Sequence, residues 1–246
     1  MNRSTVVPIL LAIFASLVAP QLYAAGIAFA ADTPSRYETR AIHDPEGIGK
    51  FYMGREIADV MGAEGIAWLE RPEREAEEQP SRVLSALHVK PGDVVADLGA
   101  GSGYFTFRLA KLVGDQGKVL AVDIEPKMLN AMRARAAQDH VSNIALILGT
   151  ETDPKLPANS LDLVLMVDVY HELAYPYEVM AHVRDALKPG GTVVLVEYRA
   201  EDPAVNIKEV HKMRAAQMVK EMAVLGLKPI ETVESLPQQH LILFGK

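Results

Sequence analysis

The sequence predicts an α/β fold in which one mainly parallel sheet carries helices on both of its faces. Short apolar runs typical of buried strands alternate with longer helical segments along most of the chain. The first of these runs ends in three glycines at alternate positions, Gly99, Gly101 and Gly103, directly before a helix. The 246 residues are 49% hydrophobic and contain no repeat or low-complexity tract, so they can bury one full core. We therefore expect a single globular domain with appendages.

Residues 1–30 have the composition of a secretory signal. Arg3 supplies a short positive start, and the stretch from Val6 to Ala19 is uncharged and mainly apolar. Ala28-Phe29-Ala30 satisfies the small-x-small rule, so we expect cleavage after this tripeptide and an exported, periplasmic protein. The alternative is an uncleaved membrane anchor, because no charge occurs between Arg3 and Asp32. The chain has no cysteine, which neither supports nor contradicts export.

Residues 31–80 form a cap segment that precedes the predicted core, and we expect it to be helical. Its stretch from Glu56 to Leu69 is weakly helical despite two glycines. Two interpretations are open, a lid over a ligand cleft or a cap that packs on the sheet edge without a chemical role. A lid would present four side chains to a substrate, namely Phe51, Tyr52, Arg55 and Trp68.

The stretch from Val94 to Thr106 is predicted to be a buried strand, a glycine turn and the start of a helix. Glycine has no Cβ, so its backbone can take a positive φ and approach a ligand closely. The helix that begins at Tyr104 directs its free N–H groups and positive dipole end at that ligand. We therefore expect a nucleotide-like cofactor beside the glycines.

The neighbours of the glycines indicate which cofactor this is. Tyr104 occupies the place where the dinucleotide fingerprint needs its third glycine, and no Gly-Lys-Ser/Thr ending of a phosphate loop is present. Asp97, two residues before the first glycine, would repel a pyrophosphate but suits a cofactor with an ammonium and a sulfonium group. S-adenosylmethionine fits this charge pattern better than NAD.

Four segments, in order and at plausible spacing, resemble the motifs of the class I S-adenosylmethionine-dependent methyltransferases. They are Asp97–Gly103, Val119–Leu129, Leu161–Leu173 and Leu187–Val196. The resemblance covers the chain from Pro80 to the C-terminus and implies a methyltransferase domain over residues 81–246. It implies a Rossmann-like sheet of seven strands, mostly parallel with one antiparallel strand. The activity it implies is methyl transfer to a small or medium-sized acceptor.

Candidate cofactor-binding residues follow the ends of the predicted strands. We expect the three glycines, with Tyr104 beside them, to hold the methionine moiety and Asp97 to contact its ammonium group. Asp123, followed by Ile124, is expected to accept hydrogen bonds from the ribose hydroxyls. The alternative role for Asp123 is the N-cap of the next helix.

The adenine contact is open. Many relatives have an aspartate directly after the glycine that ends the third strand, and this chain has Thr150 there. Glu151 or Asp153 could also supply the contact.

The fourth strand ends in polar side chains that we expect to line the acceptor pocket. His171, with an ordinary pKa near 6.5, is the candidate general base if the acceptor is a poorly ionised O–H or N–H group. Asp168 would orient His171 or bind a substrate amine. Alternatively, His171 caps the following helix or packs beside the cofactor. We expect no metal site, because the other histidines, which include His211, show no metal-ligand spacing.

The formal net charge of −7 provides no broad cationic surface, so a nucleic-acid partner is not expected. The expected partner is a small molecule, with membrane contact only through an uncleaved signal. Two other functions stay open: a non-catalytic exported binding protein that retains the fold, and a nicotinamide-dependent oxidoreductase. Tyr104 argues against the oxidoreductase, because it replaces the third glycine of the dinucleotide fingerprint.

Overall fold

The structure is a computed structural model that describes residues 35–246 together with Met1. These residues form ten strands and seven α-helices. The strands are β1 (Tyr37–Thr39), β2 (Gly47–Tyr52), β3 (Arg55–Ala58), β4 (Val94–Leu98), β5 (Lys118–Asp123), β6 (Ile144–Leu148), β7 (Leu161–Val167), β8 (Leu187–Tyr198), β9 (Lys228–Val233) and β10 (Gln239–Gly245). The α-helices are α1 (Ile66–Leu69), α2 (Arg74–Glu77), α3 (Pro80–Ala86), α4 (Tyr104–Val113), α5 (Pro126–Gln138), α6 (Pro176–Ala186) and α7 (Ala215–Ala223).

The predicted signal segment, residues 1–30, lies outside the described residues except for Met1. Its cleavage and the export of the chain stay predictions. Within the part of the chain that the structure describes, no helix has the length and apolar character needed to cross a lipid bilayer.

The central sheet confirms the predicted architecture. Its seven strands lie in the order β6-β5-β4-β7-β8-β10-β9. The first five are parallel to one another, and β10 runs antiparallel between β8 and β9. The order of the strands reverses between β4 and β7, and open α/β sheets bind their ligands beside such a reversal, at the carboxyl ends of the strands.

Helices cover both faces of this sheet. Side chains alternate between the faces along each strand, so Val95 and Ala96 of β4 belong to opposite core layers. Ala96 lies in the layer that contains α6 and α7, whereas Val95 lies in the layer that contains α3 and α4. The central strands are buried on both sides, which explains why they are near-continuous apolar runs in the sequence.

The cap segment differs from the helical prediction in its first half. Strands β1, β2 and β3 form a separate antiparallel sheet. Tyr52 and Arg55 pair across a turn in which Met53 has φ 51° and Gly54 has φ 96°, the two positive φ values of a tight hairpin. Helix is confined to the second half of the cap, where α1 and α2 each span four residues. The prediction missed the hairpin because methionine is unusual at a position with positive φ.

Candidate active site

A cavity of about 700 Å³ opens at the carboxyl ends of the parallel strands. Its wall includes residues from the ends of four strands, namely Gly99 after β4, Asp123 of β5, Gly149 after β6 and Asp168 after β7. This is the position where open α/β sheets bind ligands, and the volume is that of a small-molecule site.

The glycine turn brings main chain to the surface of this cavity. Gly99 and Gly101 line the cavity, with φ values of 72° and 55°. A Cβ at Gly99 would lie 2.4 Å from Cγ2 of Val169, and a Cβ at Gly101 would lie 2.9 Å from Cδ1 of Leu69. The turn therefore requires glycine at both positions, for its backbone conformation and for the space around it.

Asp123 is hydrogen-bonded to the glycine turn. Its Oδ2 accepts a hydrogen bond from the main-chain N–H of Gly101 at 2.8 Å, and its Oδ1 accepts one from the N–H of Glu125 at 2.8 Å. Burial raises the pKa of Asp123, although these hydrogen bonds act in the opposite direction. Both Asp123 and Ile124 line the cavity. The carboxylate predicted to bind ribose thus lies beside the glycines.

The alternative role for Asp123, the N-cap of the following helix, is wrong. The N-cap of α5 is Glu125, whose side chain accepts a hydrogen bond from the N–H of Lys127 at 3.1 Å. Asp123 lies two residues earlier and lines the cavity.

Thr150 and Glu151 line the cavity after β6. The hydroxyl oxygen of Thr150 accepts a hydrogen bond from the N–H of Asp153 at 3.0 Å, which fixes the loop that follows the strand. Asp153 itself is absent from the cavity wall. Of the three candidates for the adenine contact, Thr150 and Glu151 therefore line the cavity and Asp153 does not.

Asp97, Gly103 and Tyr104, all predicted to bind the cofactor, do not line the cavity. Asp97 is 3% exposed and lies beneath the glycine turn. Its Oδ2 accepts a hydrogen bond from the hydroxyl of Thr106 at 2.5 Å. Burial raises the pKa of Asp97 to about 6. The structure therefore places this carboxylate against helix α4, which corrects the expectation that it faces the ligand.

Gly103 and Tyr104 support the turn from the protein interior. A Cβ at Gly103 would lie 2.8 Å from the ring of Phe107, so this glycine is needed for packing. Tyr104 is 8% exposed, and the guanidinium groups of Arg74 and Arg108 lie 4.4 Å and 3.6 Å from its ring centre. Both residues stabilise the start of α4 and do not reach the cavity.

Asp168 lines the cavity after β7 but does not orient His171. Its two carboxylate oxygens accept hydrogen bonds from the side-chain amide of Gln239, at 2.9 and 2.7 Å. Burial raises the pKa of Asp168 well above its usual range, and the nearby carboxyl groups of Glu78 and Glu197 act in the same direction. Asp168 is thus held at the cavity wall by Gln239.

Glu197 orients His171 in place of Asp168. Oε2 of Glu197 lies 2.5 Å from Nδ1 of His171, and its Oε1 accepts a hydrogen bond from the N–H of Tyr170 at 2.8 Å. His171 is 2% exposed and Glu197 is fully buried. Burial lowers the pKa of His171 and raises that of Glu197, so the imidazole is uncharged at neutral pH.

His171 does not cap the following helix, because the N-cap of α6 is Tyr175. Its Nε2 lies 3.1 Å from Nδ1 of His211, and Glu172 lies close to both rings. All three residues line the cavity. Sequence reasoning missed His211 because it follows His171 by 40 residues and belongs to a separate 3₁₀ turn, Glu209–His211. The contact of Glu197 with His171 was likewise not predicted, and no local spacing signals either contact.

The cap segment lines the cavity with Glu46 of its first half and with residues between Asp59 and Glu78 of its second half. Trp68, predicted to face a substrate, does line the cavity. Phe51, Tyr52 and Arg55 do not, which corrects that part of the lid interpretation. The two aromatic rings are 8% and 1% exposed, and the guanidinium of Arg55 donates to both carboxylate oxygens of Glu221 at 3.0 and 3.1 Å. The side chains of Phe51, Tyr52 and Arg55 therefore pack within the protein and do not face the cavity.

Residues 89–239, more than half of the chain, match the model of a methyltransferase domain family. The chain belongs to this methyltransferase family. The match covers the glycine turn and the turns after β5, β6 and β7, which are the turns that line the cavity. The resemblance to the class I S-adenosylmethionine-dependent methyltransferases is thereby confirmed, and S-adenosylmethionine is the cofactor of the family.

Two curated relatives match this methyltransferase domain. The chain is 35% identical over 115 residues to a demethylmenaquinone methyltransferase of Symbiobacterium thermophilum. This alignment covers 46% of each of the two chains. It is 29% identical over 132 residues to the ubiquinone/menaquinone biosynthesis C-methyltransferase UbiE of Paraburkholderia phytofirmans. This second alignment covers 53% of this chain and 54% of the relative. The chain thus spans about half the length of the curated relatives it matches.

A solved structure of similar fold is that of a SAM-dependent methyltransferase from Aquifex aeolicus. The two structures superpose with a TM-score of 0.71 at 23% identity, over 75% of this chain and 98% of the other. At this level of identity the likeness shows the fold.

Proposed function

We propose that this protein transfers the methyl group of S-adenosylmethionine to a small or medium-sized acceptor. The observation that carries the proposal is that one cavity contains both halves of such a site. Gly99, Gly101 and Asp123 form its cofactor end, and Asp168 and His171 form its acceptor end. Methyl transfer from a sulfonium is an in-line displacement, in which holding the two reactants in position supplies much of the rate.

The residues at the cofactor end have distinct roles in this proposal. The main chain of Gly99 and Gly101 contacts the methionine moiety, and the carboxylate of Asp123 accepts hydrogen bonds from the ribose hydroxyls. Ile124 is 41% exposed at the cavity, an apolar side chain against which the adenosine can pack. Thr150 offers hydrogen-bonding groups to the edge of the adenine ring.

The acceptor end suits a small molecule with an apolar part. Trp68, Leu69 and Leu173 contribute apolar surface to the cavity. The two curated relatives are, by their names, methyltransferases of demethylmenaquinone and of ubiquinone or menaquinone biosynthesis. An apolar ring of that general kind is the acceptor chemistry that this wall favours, with Asp168 available for a polar or cationic substituent.

Calorimetric titration of the full chain tests the cofactor assignment. We expect S-adenosylmethionine and S-adenosylhomocysteine to bind with one molecule per chain, and NAD not to bind. Binding of NAD in place of the two adenosyl compounds would overturn the proposal. Incubation with methyl-labelled cofactor and a metabolite extract then tests turnover, because a non-catalytic binding protein would hold the cofactor without labelling any product.

For the location of the protein, we propose export with cleavage after Ala30. The supporting observations are the uncharged apolar stretch Val6 to Ala19 and the small residues before the cleavage position. Cell fractionation followed by N-terminal sequencing tests this. A mature chain that begins at Ala31 in the periplasmic fraction is the expected result, and a full-length chain in the membrane fraction would support the anchor instead.

A further inference from the structure

Three ligating side chains converge at the acceptor end of the cavity. Nε2 of His171 lies 3.1 Å from Nδ1 of His211, and Oε1 of Glu172 lies 3.8 Å from the first nitrogen and 3.6 Å from the second. Tetrahedral ligands bonded to zinc at roughly 2.1 Å lie about 3.4 Å from one another. The three atoms therefore already have the spacing of ligands around a single ion.

Hydrogen bonding within the cluster does not account for the position of Glu172. The two imidazoles are close enough to share a hydrogen bond, but Oε1 of Glu172 is too far from either ring nitrogen to accept one. This carboxylate is 12% exposed, its Oε2 accepts a long hydrogen bond from the main-chain N–H of Met61 at 3.4 Å, and its Oε1 faces both rings across a short gap. A cation bonded to all three atoms explains the separation and compensates the charge of the carboxylate.

The residues around the cluster fix the orientation of the His171 ring, as a histidine that binds a metal requires. Its Nδ1 is engaged by the carboxylate of Glu197 at 2.5 Å, which directs Nε2 towards the gap and His211. Carboxylate–histidine–metal arrangements of this kind fix the ring orientation and make the ligating nitrogen more basic. The main-chain oxygen of His171 also accepts a hydrogen bond from Arg55 at 3.0 Å, so the turn that carries the ligand is anchored.

We propose that His171, Glu172 and His211 bind one divalent transition-metal ion in the wall of the cavity. Two imidazoles and one carboxylate are a ligand set of catalytic zinc and non-haem iron sites, in which three protein ligands leave a coordination position open. Because all three residues line the cavity, that position is accessible to a ligand bound there.

The role of the ion rests on the proposed methyl transfer. A hydroxyl or phenol group of the acceptor coordinates the ion, which lowers the pKa of that group, and its proton passes to water. The oxygen then forms a bond to the methyl carbon as the carbon–sulfur bond breaks, and S-adenosylhomocysteine leaves. In this scheme the ion replaces the general base, since His171 is a ligand.

Cobalt titration of the full chain tests the site. We expect chelator-treated protein to bind one equivalent of Co²⁺ with intense visible absorption bands, which Zn²⁺ removes by competition. H211A and E172Q should lose these bands. H182A is the matched control, because His182 is exposed on α6 and should leave them unchanged. E197Q, a change at a positioning residue, should weaken Co²⁺ binding by about 10- to 100-fold.

The outcomes separate this proposal from the proposed function. A wild-type chain without a stoichiometric cobalt spectrum would overturn the metal site, as would a spectrum that persists in both H211A and E172Q. Circular dichroism of each variant shows whether a lost spectrum merely reflects unfolding. S-adenosylmethionine is titrated into the same metal-free protein, and if the cofactor binds while Co²⁺ does not, only the metal proposal fails.

Discussion

Asp97 of β4 accepts a hydrogen bond from the hydroxyl of Thr106 in α4, at a distance of 2.5 Å and out of contact with solvent. The two residues flank the glycine turn, so the bond holds the strand and the helix together beneath it. The position of Asp97 has a cost, because burial disfavours the charged carboxylate and raises its pKa to about 6.

The first prediction concerns stability and pH. Because the pKa of Asp97 is higher in the folded chain than in the unfolded chain, its contribution to stability is complete below pH 4. This contribution is lost as the pH rises through 6. The shift corresponds to about 3 kcal/mol. D97N should remove this pH dependence. The free energy of unfolding of D97N, measured in urea, should therefore rise relative to that of the wild type as the pH increases from 4 to 7.5. D93N, at a turn before β4, is the control and should keep the pH dependence of the wild type. An equal pH dependence of stability in D97N and the wild type would contradict the raised pKa of the buried Asp97 carboxylate.

The second prediction concerns ribose binding. D123A should weaken S-adenosylmethionine binding by at least about tenfold, since a hydrogen bond to a charged group contributes about 1.5–3 kcal/mol. Asp123 also accepts the N–H of Gly101, so D123N is a milder variant that keeps an acceptor for the turn. D115A removes an exposed carboxylate from another turn and should bind as the wild type does. Unchanged calorimetric affinity in D123A would exclude the ribose assignment.

The third prediction separates backbone strain from steric clash in the glycine turn. G99A places a Cβ 2.4 Å from Val169 at a φ of 72°. G92A introduces a similar strain at a φ of 94°, but nothing lies within 4 Å of its Cβ. Both variants should lose about 1–2 kcal/mol of stability from strain, and G99A should lose more and also lose cofactor binding. If both variants bind S-adenosylmethionine equally well, the turn is not the cofactor site.

The fourth prediction concerns the buried ion pair between the cap and α7. R55M removes the cationic partner of Glu221, a fully buried carboxylate that keeps hydrogen bonds from Tyr170 and Gln217. Loss of one partner from a buried pair costs about 3–5 kcal/mol, which urea unfolding would measure. R40M breaks an exposed, solvent-screened pair with Glu38 and should cost far less stability than R55M. The double variant R55M/E221M should recover part of the lost free energy of unfolding. Equal losses in R55M and R40M would contradict a stabilising role for the buried pair.

The parts of the site that sequence predicts well are those that depend on local pattern. The parallel α/β sheet was predicted from apolar runs, and its seven strands with the reversed strand β10 were implied by the resemblance to the class I methyltransferases; both are confirmed. Gly99, Gly101 and Asp123 follow directly from strand ends, and the structure places them together. These features depend on a few consecutive residues and on the crossover length of a parallel sheet.

The misses have physical reasons. Asp97 shares its strand face with Val95, which packs beneath α4, so strand alternation directs the carboxylate away from the cavity. His171, Glu197 and His211 meet only because the chain returns to the same edge of the sheet after 26 and then 14 further residues. Contacts of that kind depend on tertiary packing, and a single sequence carries no periodic signal for them.

The place of β10 within the sheet also affects the order in which the chain can assemble. β9 leaves the ribosome before β10, yet among the described strands it pairs with β10 alone, which inserts between β9 and β8. Gln239, the first residue of β10, also supplies the amide that holds the carboxylate of Asp168. A nascent chain that stops before this residue lacks strand β10 of the sheet and part of the cavity wall. Both therefore form late, after nearly the whole polypeptide has been synthesised.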